Sequence, residues 1–473
     1  MRRHGTLEAL AVLLAIVAAS SPVVAQENLP QPRAMGLGDA KFMAPDPVQL
    51  RQALPGGAFA YVVPDHTVPL VRFTALIGAG RADAGDAADY AAALRNGPAD
   101  LTAAEFGRRL ARLTAQYEVV QEQTETHLSL EVPREDLAAG VELFTALVRG
   151  GPRSESTGVA AAASADSMSG ESGTALYEGS LDGTVRLFEQ NLFADHAYSG
   201  LAADEPGASA ASFHKRFVVP GNVVLAVAGD FEVASMREAV AAAFDDWEGE
   251  TPALAVHPAP DLVEARRVLT YPADKLQGWV VLGHELPEIP VEDEAALMVM
   301  NYILGGGHFD TRLFRATRDQ RGLTNDDSGF PVPGFRGPGV YTFRTYGRPE
   351  VVRLLVQLTF EEIERIRGEL VSEEELFVAR GALADGDFSL WFRNGAATAT
   401  TYAREWLRYR DHTRTASWQE RVRAVTADDV LAAARRYLHP NRMQVVVVGP
   451  IDAIESAPAL EGEPRLAPAE VTQ

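Results

Sequence analysis

Apolar residues recur along the chain at two spacings, and the alternation between them predicts the elements. Residues 57–63 and 70–77 are rich in β-branched and aromatic residues and flank the turn formers Pro64, Asp65, His66 and Thr67, which predicts two strands joined by a turn. Residues 86–94 are alanine-rich and predict a helix. Phe106, Leu110 and Leu113 fall on one helical face and predict an amphipathic helix over 102–117. Residues 127–132 alternate as a strand does, and 134–148 return to helical spacing. A helical pattern resumes over 184–193, a buried strand follows within 218–230, and a helix over 233–247. Strands and helices mixed in this order predict an α+β unit. Residues 154–180, rich in Ala, Ser and Gly, fit a polar helix and a loop equally well.

The second half reuses the plan. Residues 268–271, 278–286 and 340–346 predict strands, and 292–304 and 350–367 predict helices. The segment PGNVVLAVAG ends at Gly229, and PNRMQVVVVG ends at Gly449. In both, a proline and a nearby asparagine open an apolar strand that closes on glycine, near the end of its half. Two homologous α+β domains are therefore expected, at 46–250 and 262–460, each a mainly antiparallel sheet packed with helices. The stretch 251–261, broken by Pro252, Pro258 and Pro260, would link them, with a linker at 26–45 and a tail at 461–473.

Composition narrows the function classes. A chain of 473 residues with 47% hydrophobic and 23% charged residues buries sizeable cores and exceeds the usual single domain. A net charge of -22 argues against nucleic acid and anionic membrane surfaces as partners. Residues 1–25 carry Arg2, Arg3 and His4, a short apolar run from Ala9 to Ala19, and Val23, Val24 and Ala25. That is the pattern of an export signal cut after Ala25, with an apolar run too short for a stable membrane span. The expected location is the periplasm or the outside of the cell. There is no cysteine, so disulfides contribute nothing.

The candidate chemistry lies in two stretches. The first, NYILGGGHFDTRLFRATRDQRGLTN at Asn301 to Asn325, runs an apolar helix end into Gly305, Gly306 and Gly307 and then into a second helical pattern with Leu313 and Phe314 on one face. Such glycines suit positive φ or close backbone approach. With Phe309, Arg312, Leu313, Phe314, Arg318, Arg321, Gly322 and Leu323, the string resembles the second-half signature of the insulinase and pitrilysin family of zinc peptidases, processing peptidases included. The second stretch, Gly85 to Gly97, aligns without a gap to that family's G-L-A-H-x-x-E-H-M-L-F-K-G. Gly85, Ala87, Leu94 and Gly97 match, but the two zinc-binding histidines fall on Ala88 and Ala92 and the water-activating glutamate on Ala91. Alanine offers zinc no lone pair and water no base. The family's third ligand would fall near 164–171, where Asp166 and Glu171 are the carboxylates, and the ten histidines include no pair at i and i+4.

The resemblance also implies an arginine, and a tyrosine seven residues later, that bind substrate and help to stabilise the tetrahedral intermediate. Arg318 matches the arginine, and Asn325 stands at the tyrosine's position. Arg318 is either such a group or an ion-paired helix residue; Asn325 is either a shorter donor or a turn former. His308, next to the glycines, is either a peptide or partner contact or an exposed loop residue. The resemblance implies two homologous halves, no metal in this chain, and zinc only in a partner. Three readings follow. One is a non-catalytic subunit pairing with a zinc-bearing homologue and helping to bind peptide. The second is a structural or peptide-binding protein without a proteolytic role. The third, a metallopeptidase with other ligands, has Ala88, Ala91 and Ala92 against it.

Overall fold

Two sheets organise the chain, and they have the same topology. The computed structural model describes residues 42–84, 90–152, 180–193, 209–257, 265–307 and 309–457. The export signal, most of the N-terminal linker and of 154–180, the predicted third-ligand region, Ala88, His308 and the tail lie outside the described residues. In the first sheet β1 (Arg51–Ala53), β2 (Phe59–Pro64), β3 (Leu70–Ile77), β4 (Gln116–Gln121), β5 (Thr126–Pro133) and β6 (Val223–Gly229) take the order β1-β2-β6-β3-β5-β4. In the second, β7 (Arg267–Pro272), β8 (Gly278–Leu286), β9 (Asp327–Val332), β10 (Gly339–Gly347) and β11 (Gln444–Gly449) take the order β7-β11-β8-β10-β9. Removing the short edge strand β1 makes the two orders equivalent. Each has one parallel pair, β2 with β6 and β7 with β11, and antiparallel pairing elsewhere.

The repeated proline-to-glycine segments are the central strands of the parallel pairs. Pro64 stands opposite Gly229, and Pro272 opposite Gly449. Both glycines have positive φ, +139° and +157°. A Cβ on Gly229 would fall 2.1 Å from the Leu70 carbonyl oxygen, and one on Gly449 would fall 2.8 Å from the Gly278 Cα. The glycine that ends each strand is thus imposed by the neighbouring strand's backbone.

Helices cover the sheets in a way the sequence order conceals. On one face of the first sheet, Phe73, Leu128, Leu130 and Val132 pack with Leu143, Phe144 and Leu147 of the helix Leu137–Gly150. A helix from the second half by sequence, Gly395–Tyr409, lies on β6, β2 and β3. Its Gly395 N–H donates to Asp65 Oδ2 at 2.7 Å, and a Cβ there would come within 3.4 Å of the Ala228 Cβ. Reciprocally, Leu181–Leu192, from the first half, lies on β8, β11 and β10. Its Leu187, Phe188 and Leu192 pack on Val281, Val340, Val446 and Val448, and Gln444 Nε2 donates to the Phe188 carbonyl at 3.0 Å. The stretch 251–261 therefore separates the sheets but not the helices, and the chain from Ala44 onward forms one compact unit.

Three strands were not predicted, the three-residue β1 and two longer ones. The expected helix over 102–117 ends at Arg112, the chain reverses at Thr114 with φ +47°, and β4 begins at Gln116. The stretch that becomes β9, DSGFPV, contains Gly329 and Pro331. Both are the outermost strands of their sheets, where half-exposed side chains and a proline are tolerated and the apolar alternation is weakest.

Candidate functional site

Two of the positions that align with the zinc motif, Ala91 and Ala92, lie on α1 (Tyr90–Arg95), which runs along β4. Three hydrogen bonds fix it there. The Ala91 N–H donates to Gln121 Oε1 at 3.4 Å, Tyr117 OH to the Leu94 carbonyl at 3.0 Å, and Arg95 Nη2 to the Val119 carbonyl at 3.1 Å. Behind it the buried Tyr90 OH meets His214 Nδ1 at 3.0 Å; burial pushes that imidazole down to about 4. Ala91 is buried and Ala92 half-buried, and neither has an atom that could hold a metal. Among the described residues one group, Glu122, Glu125 and His127, gathers ligand atoms within 4.8 Å. Its fully buried Glu125 is forked by Arg408 Nε and Nη2 and accepts from His127 Nε2 at 3.3 Å. Burial pushes this carboxyl up, but the bonds from His127 and Arg408 and the arginine charge outweigh it and hold it at about 2. A cation would have to displace the guanidinium, so these residues do not fit zinc.

Beside the helix, β4 is the last strand of its sheet. The Glu122 N–H donates to the Glu125 carbonyl at 2.8 Å, which sets the antiparallel alternation so that Val119 and Gln121 turn their main-chain groups away from β5. The bond from Arg95 to the Val119 carbonyl lies on that outer side. Past the end of β4, a cavity of about 330 Å³ opens between the two sheets. It is lined by Val120, Gln121, Phe193, Val332, Phe335 and Val340, with Arg81, Arg408, Glu122 and Glu189 among its charged groups. Burial pushes the Glu189 carboxyl up, and Arg81, Arg344 and Arg186 oppose this. Gln121 is itself buried, and its Nε2 has no hydrogen-bond partner. A buried amide donor left unpaired costs about 1–3 kcal/mol.

The second-half signature lies elsewhere. The helix Val291–Asn301 continues as a π-helical turn over Tyr302–Gly306, so Gly305 and Gly306 extend the helix and Gly307 is its C-cap. None has positive φ. They permit close packing: Cβ atoms on Gly305, Gly306 and Gly307 would fall 2.7, 2.3 and 2.6 Å from Leu313, Asn301 and Tyr302 side-chain atoms. Arg318, half-buried on a second π-helical turn (Arg315–Asp319), places its guanidinium over Phe314 at 4.6 Å and Phe309 at 5.4 Å. Asn325 is exposed. Arg312 forks Glu375 at 2.7 and 3.0 Å. None of Gly305, Gly306, Gly307, Arg318 and Asn325 lines the cavity between the sheets. Sequence reasoning missed Gln121 and the β9–β10 turn that closes the cavity. The signals available were the alternation QYEVVQ and the turn PVPGFRGPG.

The chain is a duplicated α+β unit with helices exchanged between its halves, and Ala91 and Ala92 stand on α1. Residues 208–383 match the family model of the peptidase M16 inactive domain. No curated protein matches the chain. Among solved structures it is similar to a peptidase M16 inactive domain from Pseudomonas fluorescens, at 21% identity and TM-score 0.68 over 85% of this chain and 98% of that one. A protease from Helicobacter pylori is similar at 17% identity and TM-score 0.69, over 85% of this chain and 99% of that one. The periplasmic protease PqqL of Escherichia coli is similar at 15% identity and TM-score 0.62, over 93% of this chain and 50% of that one. At these identities the likeness is one of fold. Among the described residues no helix is long and apolar enough to cross a membrane.

Proposed function

We propose that this chain is an exported, non-catalytic subunit of an M16 zinc peptidase, which pairs with a zinc-bearing homologue and helps to bind its peptide substrate. One juxtaposition carries the reading. Where the motif would hold zinc, Ala91 and Ala92 offer methyls, while directly beside them β4 keeps an outer edge and Gln121 keeps a buried donor at the cavity. At Ala91 and Ala92 no side chain can move a proton, while β4, the last strand of its sheet, supports pairing with an extended chain. An extended peptide can add to a sheet edge through main-chain hydrogen bonds, with side chains seated in adjoining pockets. In the pair, Arg318 and the Gly305–Gly307 stretch would face the partner's cleft, where a guanidinium can bind a peptide carbonyl without changing protonation.

The test is purification of the protein from its own source, followed by reconstitution with the homologue that accompanies it. A co-purifying homologue with its zinc motif intact is the expected result. Arg318→Ala should then lower the pair's peptidase activity by roughly a hundredfold, the usual loss for one positioned donor, at unchanged subunit affinity. If no homologue co-purifies and the chain still binds peptide, the structural or peptide-binding reading replaces this one.

A further inference from the structure

The turn between β9 and β10 reaches into the first half, and one arginine at its tip gathers segments distant in sequence. Arg336 has a left-handed backbone, φ +55°. Its Nη1 and Nη2 fork the Asp83 carboxylate at 3.0 and 2.9 Å. Nη2 also donates to the Thr124 carbonyl at 2.7 Å and the Gly78 carbonyl at 3.2 Å, and Nη1 to the Ala255 carbonyl at 3.0 Å. The Arg336 carbonyl accepts from the His257 N–H at 2.6 Å. The side chains of Asp83 and Arg336 are only 3% and 9% exposed. One guanidinium thus joins the end of β3, the β4–β5 turn, the connection between the halves and the β9–β10 turn.

The first half is built to receive it. The main-chain N–H groups of Arg81 and Ala82 donate to the Glu122 and Gln123 carbonyls at 2.8 Å each. A Cβ on Gly80 would fall 2.4 Å from those same two oxygens, which accounts for glycine there. Asp83 Oδ2 accepts from the Gly80 N–H at 3.0 Å, and Oδ1 stands 3.5 Å from His257 Nε2. Burial pushes the Asp83 carboxyl up, but the bonds from His257 and Arg336 outweigh it and hold the group below its usual range. Next to the fork, Phe335 lies under the Arg408 guanidinium at 5.1 Å. Breaking a buried pair by removing one partner strands a buried charge, so the halves cannot part here without a large penalty.

We propose that Arg336 is a clasp that locks the two sheets together, so that the chain works as a pre-closed body whose cavity does not open by hinge motion. An opening used to admit substrate would have to break the fork and four further hydrogen bonds at once. The proposal concerns this chain's own motion and stands whether or not it pairs with a peptidase.

The chain has no cysteine, so spin labels can be placed on the full mature chain at Glu118→Cys on β4 and Glu350→Cys before the helix Val352–Gly368, both exposed sites. Pulsed electron resonance should give one narrow distance distribution in the labelled parent. In Arg336→Met it should broaden or gain a longer component. Hydrogen exchange at 78–84, 122–126 and 333–338 should accelerate roughly a hundredfold or more in that variant, with β3 and β10 amides changing far less. Because Arg336→Met leaves Asp83 charged and buried, Asp83→Asn with Arg336→Met provides the control. That double variant should recover global stability while the distance distribution stays broad. A parent with two distances, an Arg336→Met distribution like the parent's, or acceleration equal in β3 and β10 would each overturn the clasp.

Discussion

Asp327, the first residue of β9, is buried with no charged partner, and replacing it by asparagine should change how stability depends on pH. The carboxyl is 1% exposed. Nearby hydroxyls of Thr317 and Thr359 already donate to the Leu313 and Leu355 carbonyls at 2.8 and 2.9 Å. Their oxygens can accept a proton from a neutral acid, but they have no hydrogen left for an anion. Burial pushes this carboxyl well above its ordinary value and Asp326 adds to the push; the nearby Thr317 and Thr359 hydroxyls oppose it without reversing it. A raised folded value means that the native state holds the proton more tightly than the unfolded chain. The stability this contributes is complete below the unfolded value, near 4, and is lost as pH rises towards the folded one. Within that window the loss is about 1.4 kcal/mol per pH unit. Asp327→Asn keeps the shape, removes the titration and retains a donor for the threonine oxygens. Urea unfolding followed by tryptophan fluorescence between pH 4.5 and 7.5 would measure the variant-minus-parent difference, which cancels the other groups. That difference should rise with pH at the stated slope, with the variant the more stable at neutral pH. Parallel curves would refute the reasoning, as would a variant less stable at every pH.

Three further outcomes are expected. Arg408→Met, which leaves Glu125 buried with its fork broken, should cost about 3–5 kcal/mol. Glu125 is held at about 2, so its contribution is present above the unfolded value and fades as pH falls towards 2; acid titrations of parent and variant should converge there. Residues 46–250 expressed alone would lack the helix Gly395–Tyr409 on their sheet and should fail to give a soluble monomer. Co-expression with 262–460 should give a complex, and Phe188→Ala, emptying a fully buried site in the exchanged packing, should cost about 3–5 kcal/mol in the whole chain. Finally, elemental analysis after dialysis should find no stoichiometric zinc, because Ala91 and Ala92 offer no ligand and Glu125 is committed to Arg408; one zinc per chain with chelator-sensitive proteolysis would overturn this.

What the sequence determined is what short-range physics writes into it. The central strands are apolar on both faces, so Val223–Gly229 and Gln444–Gly449 were legible as buried strands, and the glycine ending each one exposed the duplication. The alanines at the positions that align with the zinc motif, Ala88, Ala91 and Ala92, were legible too, and a methyl has no lone pair in any fold. The edges were not: β4 and β9 have one half-exposed side, and Gly329 and Pro331 interrupt β9, so the apolar alternation that marks a strand is weak in both. Tertiary structure alone decided that each half lends a helix to the other's sheet, because Phe188 and Ala399 look like ordinary core residues of their own halves. It also decided that Arg336, an arginine in a glycine and proline turn, is buried against Asp83 some 253 positions away. Charge pairing is set by three-dimensional proximity, and sequence spacing carries no trace of it. Gln121 gained its place beside the motif helix for the same reason, since the register of β4 against α1 exists only once the sheet has formed.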